Sequence, residues 1–249
     1  MSTRASTCAT ASPANGRPDP ATPTRPRNVM QVLYSLAVGG SEVFALTVAR
    51  HMDPDAYRSL LCGVDLGGAL QKEAEQAGIP CFVLNRRPGI AWELVGKLYR
   101  LFVRERIDVV HAHHFNQLLY SAVAARLAGA RLIYSEHNAA ALQRRDIRLA
   151  TRVLALLCHK VVAIGTGVAE AFRDQVGIPA HKLEVIHAGV PISDGAVSRT
   201  EARQALGLAE TDRVVVTVAR LAAVKNHHLL VTAFAEVAQQ LPAARLLLV

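Results

Sequence analysis

The chain has 249 residues, of which 51% are hydrophobic, 19% charged and only 5% aromatic, and its formal net charge is +8. The hydrophobic share is mostly Ala, Val and Leu, which favours parallel strands covered by helices over a β-sandwich. The positive charge predicts an acidic partner, whether nucleic acid, anionic lipid or a phosphorylated substrate. No window reaches the roughly 20 apolar residues of a membrane-crossing helix, so the composition excludes an integral membrane protein.

Residues 1–27 are rich in Ser, Thr, Ala and Pro. They cannot bury a core, and we predict a disordered N-terminal extension. A transit peptide is an alternative, but the prolines would break the amphipathic helix that such peptides use. A start codon assigned too early is a further alternative.

From Asn28 to residue 190, short apolar runs alternate with helical patterns. The first strand is predicted at 29–36 and is followed by a Gly39-Gly40 turn and a helix that begins with Ser41 as its N-cap. Further strands are predicted at 58–63, 80–84, 108–111, 131–135, 161–164 and 184–187. This rhythm predicts an α/β fold with a doubly wound, Rossmann-like parallel sheet, whose ligands gather at the carboxyl ends of the strands.

A polar stretch at 191–199 is predicted to be a linker to a second domain that begins at Thr200. Residues 213–219 are predicted to form a fully buried strand, followed by a helix at 226–241 and a strand at 244–249. We expect residues 200–249 to be the beginning of a second Rossmann-like domain, which would need on the order of 100 further residues to close.

Four scattered cysteines lack C-x-x-C or metal-ligand spacing: Cys8, Cys62, Cys81 and Cys158. This pattern predicts reduced thiols, most of them small core residues, in a cytoplasmic protein. Together with the basic charge, it allows a peripheral position at the inner face of the cell membrane.

Five motifs occur in one order along the chain: Gly39-Gly40-Ser41-Glu42, Asp108 to His113, Ser135-Glu136-His137-Asn138, Val185 to Val190, and Val218-Ala219-Arg220-Leu221 followed by Lys225-Asn226-His227. In this order and spacing, residues 29–249 resemble glycosyltransferase family 4, whose members are retaining nucleotide-sugar transferases of the two-domain GT-B architecture. Some positions depart from the family pattern: Ala188 replaces a frequent Asn, Ala219 a frequent Gly and Gly165 a usual Ser. The family's E-x7-E segment would lie beyond Val249.

The resemblance implies a transferase that moves a sugar from a UDP- or GDP-sugar, bound between the two domains, to a glycan or lipid-linked acceptor. It implies that Arg220 and Lys225 stabilise the leaving diphosphate without a metal ion or other cofactor, and that His137 lies near the transferred sugar. It also implies substrate contacts from Gly39, Gly40, His113 and Asn138. The pathway implied is polysaccharide or glycolipid biosynthesis.

The residues themselves leave alternatives open. Arg220 and Lys225 lie five residues apart between a strand and a helix, where two cations suit a phosphate, although a solvated pair is the simpler interpretation. Gly39 and Gly40 would let backbone amides approach a ligand and supply torsions that other residues resist, or form a structural turn. His137 could equally be an ordinary loop histidine.

A further cluster, His111, His113 and His114, could suggest a metal site. We predict no metal there, because alternating strand residues face opposite sides of a sheet and no carboxylate or cysteine is spaced to complete a coordination shell.

A basic stripe of Lys97, Arg100 and Arg104 lies beside apolar helix residues, with Arg86-Arg87 upstream and a second basic run from Arg144 to Arg152. Such a stripe suits anionic lipid headgroups, although a solvated helix face explains it equally simply. Nucleic acid binding is not expected, since no aromatic residues interleave with the basic runs. Two other functions remain open: a GT-B-type sugar epimerase, which should carry paired carboxylate bases, and a catalytically inactive truncated fragment.

Overall fold

The computed structural model describes residues 25–87, 89–191, 195 and 197–249. The chain divides into two units, Met1–Pro191 and Ile192–Val249, so the division falls within the stretch predicted as a linker. Residues 1–24 of the predicted extension lie outside the described residues. Its last residue, Arg27, already belongs to the first strand.

The strands that the apolar runs predict are all present, with ends that shift by a few residues. In the first unit they are β1 (Arg27–Ser35), β2 (Tyr57–Leu66), β3 (Cys81–Val83), β4 (Val109–His113), β5 (Arg131–Glu136), β6 (Lys160–Ala163) and β7 (Leu183–Val185). The helices of this unit are α1 (Gly40–His51), α2 (Ala69–Gln76), α3 (Glu93–Arg104), α4 (His114–Ala128), α5 (Arg145–Leu154) and α6 (Thr166–Glu170), the last continuing as a wider turn over Ala171–Val176. The strands therefore alternate with helices, as βαβ units require.

The seven strands form one parallel sheet in the order β3-β2-β1-β4-β5-β6-β7. The chain builds outward from β1 to β3, then crosses to the other side of β1 and builds outward to β7. This order confirms the doubly wound α/β prediction and puts the topological switch point between β1 and β4.

The sheet is packed on both faces. Leu33 of β1 packs with Leu46 of α1 on one face, while Met30 of β1 packs with Leu98 of α3 and Leu118 of α4 on the other. Strand alternation explains this split, because residues with odd and even numbers in β1 point to opposite sides.

The helix after the Gly39-Gly40 turn begins earlier than predicted. Its N-cap is Gly39, which has no side chain to cap with, and not Ser41. The hydroxyl of Ser41 instead donates to the carboxylate of Glu42 over 2.8 Å. The prediction of Ser41 as N-cap was therefore wrong, and the first amides of α1 carry no side-chain cap from residue 39.

The second unit contains α7 (Arg199–Ala205), β8 (Arg213–Thr217), a 3-10 turn (Ala223–Lys225), α8 (His227–Gln240) and β9 (Ala244–Leu248). Helix α7 starts with a capping box in which Ser198 and Glu201 bind each other's backbone amides. Strands β8 and β9 pair in parallel across α8, as a βαβ unit.

The prediction of a fully buried strand at 213–219 was wrong. Val215 and Val216 are 48% and 53% exposed, because a two-stranded sheet with one α-helix across its connection covers its strands only partly. The buried residues of this unit in the described chain are Arg203 and Ala244.

Cys62, Cys81 and Cys158 are free thiols, and Cys62 and Cys158 are buried. Burial raises the pKa of each of these two thiols to about 12. Cys8 lies outside the described residues. Within the described part of the chain, no helix combines the length and the apolarity needed to cross a membrane.

Candidate functional site

A group of polar side chains lies on one face of the two central strands of the first unit. The strand register pairs Gln31 of β1 with His111 of β4 and His113 of β4 with Ser135 of β5. His111 and His113 are two residues apart and therefore share a face, with their ring centroids 4.2 Å from each other. The alternation argument against a metal site was wrong for this pair, since it separates only neighbouring residues.

His113 is the centre of a hydrogen-bonded chain. Its Nε2 lies 2.8 Å from Oε1 of Gln31, and its Nδ1 lies 2.9 Å from Nε2 of His137. Gln31 and His113 are fully buried. His137 is half-buried and is the member of this hydrogen-bonded series nearest the carboxyl edge of the sheet. We call Gln31, His113 and His137 the histidine relay.

Helix α1 covers the relay with an aromatic ring. Phe44 packs edge-on against His113 and His137, at centroid distances of 6.3 and 5.5 Å. The helix that follows the Gly39-Gly40 turn therefore contacts the two histidines that the resemblance placed near the substrates.

Glu136 lies behind the relay and was missed as a site residue. Its side chain is fully buried, and its carboxylate accepts hydrogen bonds from the hydroxyl of Tyr134, from Nδ1 of His114 and from the backbone amides of His137 and Asn138. Burial by itself would raise the pKa of Glu136, but the hydrogen bonds, led by that from His114, outweigh burial and lower the pKa. The carboxylate thus remains ionised and fixes the loop that carries His137.

His111, His113 and His137 are neutral at ordinary pH, because burial lowers the pKa of each of these three rings. Burial, followed by the influence of His137, lowers the pKa of His111 to about 4. Burial, followed by the influence of His114, lowers that of His137 to about 4 despite Glu136. The pKa of His113 is lowered as well, first by burial and then by its histidine neighbours. Neutral rings can each donate one hydrogen bond and accept another, which suits hydroxyl groups.

His114 stands at the start of α4 with a left-handed backbone, φ 69°. Such a conformation is unfavourable for a residue with a Cβ and persists where the surroundings hold it. Here the hydrogen bond to Glu136 over 2.8 Å supplies that restraint. Within the described residues, no group of three or more His, Cys, Asp and Glu side chains is placed to hold a metal ion.

The glycine turn differs from its prediction in one respect. Gly39 has an extended backbone, φ −154°, and neither Gly39 nor Gly40 has a positive φ, so special torsions do not require glycine here. Space does not require it either: an added Cβ at Gly39 would meet only the carboxylate end of the flexible Glu42 side chain, and nothing surrounds Gly40 within 4 Å.

Asn138 is exposed, and its Oδ1 caps the 3-10 turn of Ala139–Gln143 by accepting from the amide of Ala140 over 2.9 Å. Its side chain therefore has a structural role in the loop that follows His137.

Arg220 and Lys225 lie in the second unit, between β8 and α8. Both are exposed, and neither side chain forms an ion pair or hydrogen bond with the described part of the chain. The loop is fixed by backbone bonds instead: the amide of Ala222 donates to Arg220 and that of Lys225 donates to Ala222. The two cations are thus free to meet an anion at the carboxyl end of β8 and near the N-terminus of α8.

A family model described as Glycosyltransferase Family 4 matches residues 38–194, more than half of the 249 residues. The chain belongs to glycosyltransferase family 4. A second model, described as Glycosyl transferases group 1, matches residues 198–249 of this family 4 chain. No curated protein matches it.

Solved structures share the fold of the family 4 chain. Anabaena Alr3699/HepE in complex with UDP and glucose is 26% identical with a TM-score of 0.70, and the same protein with UDP-glucose is 27% identical with a TM-score of 0.70. The first match covers 88% of this chain and 60% of HepE, and the second covers 89% and 60%. The chain thus spans about 60% of the length of these HepE structures.

A UDP-N-acetylglucosamine 2-epimerase structure is 12% identical with a TM-score of 0.58, covering 89% of this chain and 63% of its own. At this identity the likeness shows the shared fold alone. Solved structures, HepE among them, confirm the α/β class and the GT-B type that were predicted for the family 4 chain.

The structure also separates the basic residues of the family 4 chain. Arg86 donates to both oxygens of Asp65 over 2.7 and 2.6 Å and is largely buried, so it is not part of an exposed basic surface. An open groove of about 520 Å³ lies between α3 and the end of β3. From α3 it is lined by Lys97, Arg100 and Arg104, and from β3 and the residue after it by Phe82, Val83 and Leu84. The apolar residues beside this stripe, among them Leu98, are buried in the core.

Gln31, Phe44 and Glu136 are the site residues that the sequence interpretation missed. A signal existed for two of them: Gln31 interrupts the apolar run of β1, and Glu136 is a charged residue at the end of the largely apolar strand β5. A polar residue in a buried strand must have a partner. Phe44 gave no such signal, because an aromatic residue on a helix is ordinarily part of the core.

Proposed function

We propose that this family 4 protein transfers a sugar from a UDP- or GDP-sugar to a glycan or lipid-linked acceptor with retention of the anomeric configuration, in polysaccharide or glycolipid biosynthesis. The observation that carries the proposal is the match of two glycosyltransferase family models, which together span residues 38–194 and 198–249. The ligands of the HepE structures, UDP with glucose and UDP-glucose, support a nucleotide-sugar donor.

In the proposed reaction, Arg220 and Lys225 bind the diphosphate of the donor. Negative charge develops on the leaving oxygens as the glycosidic bond breaks, and positioned cations lower the free energy of that state. Both side chains lack an internal counter-ion among the described residues, so neither must break an ion pair first. No metal ion has a part in this proposal.

In the same proposal, the carboxyl edge of the first unit contacts the sugar. His137 offers a hydrogen bond to a hydroxyl group through the ring nitrogen that does not contact His113. The amides of Gly39 and Gly40 lie at the start of α1, where residue 39 has no side chain to cap them. The loop that carries Asn138 lies next to His137 at this edge of the sheet.

Isothermal titration calorimetry of the chain with UDP, GDP, UDP-glucose and a GDP-hexose, in the presence of EDTA, tests the donor. We expect one nucleotide to bind and the Arg220→Gln and Lys225→Gln variants to weaken it at least tenfold, since a hydrogen bond to a charged group contributes about 1.5 to 3 kcal/mol. The matched control is Arg213→Gln, at the amino end of the same strand, which should bind as the unaltered chain does. Absence of binding by all four ligands would contradict a nucleotide-sugar donor and favour an inactive chain.

A sugar epimerase remains the second candidate, because an epimerase shares the fold. It requires a carboxylate base at the sugar. Glu136, the buried carboxylate of this edge, accepts four hydrogen bonds and is therefore committed to the loop. Incubation with UDP-N-acetylglucosamine, followed by proton NMR of the sugar, separates the two functions, since only an epimerase releases the C2 epimer.

We also propose that the protein is cytoplasmic and meets anionic membranes through Lys97, Arg100 and Arg104 on α3. Tyr99 and Val103 lie on the exposed side of this helix and insert at the interface in this proposal. Sedimentation with phosphatidylglycerol vesicles tests this: the triple Gln variant should bind less, whereas phosphatidylcholine vesicles should bind neither protein. Equal sedimentation of the two proteins would leave the stripe as a solvated helix face.

A further inference from the structure

Gln31 is buried in the middle of the sheet and yet makes only part of the hydrogen bonds that its amide can form. Its Oε1 lies 2.8 Å from Nε2 of His113, whereas its Nε2 has no hydrogen-bond partner in the described structure. The residue is fully buried, and its neighbours in the strand register are Leu61 of β2 and His111 of β4. A buried polar group of this kind is costly unless it has a specific task.

The amide oxygen determines where the protons of the relay lie. An oxygen can only accept, so Nε2 of His113 carries the proton, and Nδ1 of this neutral ring is then an acceptor. Across the 2.9 Å contact, Nε2 of His137 must therefore donate. A neutral His137 with its proton on Nε2 has an unprotonated Nδ1.

The environment of His137 leaves that Nδ1 for a ligand. Phe44 packs against the ring edge-on at 5.5 Å, and the backbone amide of His137 is held by Glu136 over 2.9 Å. In the described part of the chain, Nδ1 itself forms no hydrogen bond. The ring is thus fixed in place by its neighbours while one nitrogen is uncommitted.

We propose that Gln31 is a positioning residue which, through His113, fixes the tautomer of His137 so that Nδ1 accepts a hydrogen bond from a hydroxyl of the donor sugar. The identity of this ligand rests on the proposed function. The tautomer does not, because it follows from the contacts of Gln31, His113 and His137 alone. Gln31 acts from within the sheet and touches no substrate.

Nitrogen-15 NMR of the imidazole rings tests the tautomers in the unliganded 249-residue chain at pH 7.5. We expect Nε2 protonated and Nδ1 unprotonated in both His113 and His137. The Gln31→Met variant keeps the length of the side chain and removes the acceptor, and both rings should then give averaged signals of mixed tautomers. Thr151→Val is the matched control, because Thr151 is also fully buried with an unpartnered hydroxyl and belongs to α5, outside the relay.

A protonated Nδ1 in His137 of the unaltered chain would overturn the proposal, and this result needs no variant to fold. So would a Gln31→Met chain whose two rings keep the original signals. An effect of Thr151→Val as large as that of Gln31→Met would show general loosening of the unit and would also overturn it.

Calorimetry with UDP-glucose and with UDP tests the sugar contact. We expect Gln31→Met to weaken the binding of UDP-glucose about threefold to tenfold, which is the range of one neutral hydrogen bond. The affinity for UDP should be unchanged. Equal weakening of both ligands would mean a merely structural role and overturn the sugar contact. If the unaltered chain binds neither ligand, the proposed donor fails together with the sugar contact, and the tautomers alone decide the role of Gln31.

Discussion

The two regions that carry the family motifs are built in opposite ways. At the carboxyl edge of the first unit, side chains satisfy one another: Glu136 accepts four hydrogen bonds and His113 joins Gln31 to His137. In the second unit, Arg220 and Lys225 are exposed, and among the described residues their loop is shaped by backbone bonds alone.

This difference separates two kinds of contribution to function. The first region is organised before a ligand arrives, so its geometry depends on the free energy of folding. The second presents charges that gain a partner only when an anion binds. Substitutions in the first region should therefore lower stability, and substitutions in the second should lower affinity without changing stability.

The largest effect should come from Glu136→Ala. Removing the carboxylate leaves buried donors of Tyr134 and His137 without an acceptor and releases His114 from its strained backbone conformation, φ 69°. We expect the free energy of unfolding to fall by about 3 to 5 kcal/mol, because several buried donors lose their acceptor at about 1 to 3 kcal/mol each. Urea unfolding followed by circular dichroism measures it.

The control for this substitution is Glu170→Ala, at the exposed end of α6, which should cost no more than about 0.5 kcal/mol. If Glu136→Ala lowered the free energy of unfolding as little as Glu170→Ala, this would contradict a first region whose side chains are organised before a ligand binds.

Low pH should also lower the free energy of unfolding through the first region. His111 has a pKa of about 4 in the folded chain and an ordinary value near 6.5 when unfolded. Between these values the unfolded chain binds more protons, so stability is complete above about pH 6.5 and is lost as the pH falls toward 4. His111 alone accounts for a loss on the order of 3 kcal/mol, and His137 shifts in the same direction.

Urea unfolding at pH 7.5, 6, 5 and 4 checks this dependence. The His111→Gln variant should show a flatter profile. His51→Gln, at the exposed end of α1, should leave the profile as it is. A profile of the unaltered chain that is flat from pH 7.5 to 5 would contradict neutral, buried histidines.

Sequence and structure agree best where a pattern extends over many residues. The apolar runs predicted the nine strands of the described residues, and the alternation of strands with helices predicted the doubly wound parallel sheet. The relay could not be predicted in the same way, because it joins residues 24 and 82 positions apart and depends on the register of β1, β4 and β5. The prediction of Ser41 as N-cap was wrong for a local reason: α1 already begins at Gly40, and the hydroxyl of Ser41 donates to the adjacent Glu42.

The glycines of the first region should show a smaller effect. An added Cβ at Gly68, before α2, would clash with the backbone of Leu36 and Ala37, the loop that leads to Gly39. We expect Gly68→Ala to cost about 1 to 3 kcal/mol, the range of overpacking. Gly40→Ala meets nothing within 4 Å at the first position of α1 and should be neutral or stabilise by about 0.5 kcal/mol. Equal thermal midpoints for the two variants would contradict this distinction.

The smallest effect on stability should come from the second region. Arg220→Gln and Lys225→Gln remove exposed side chains without internal partners in the described structure, so the free energy of unfolding should change by less than about 0.5 kcal/mol. Saturating UDP sharpens the comparison: at 100 times its dissociation constant, a ligand that binds only the folded chain stabilises it by about 2.7 kcal/mol. At the same UDP concentration, both variants should lose most of this gain, whereas Arg213→Gln should keep it. If Arg220→Gln instead lowered stability without UDP as Glu136→Ala does, the loop would be held by its side chains, and its free cations could not explain diphosphate binding.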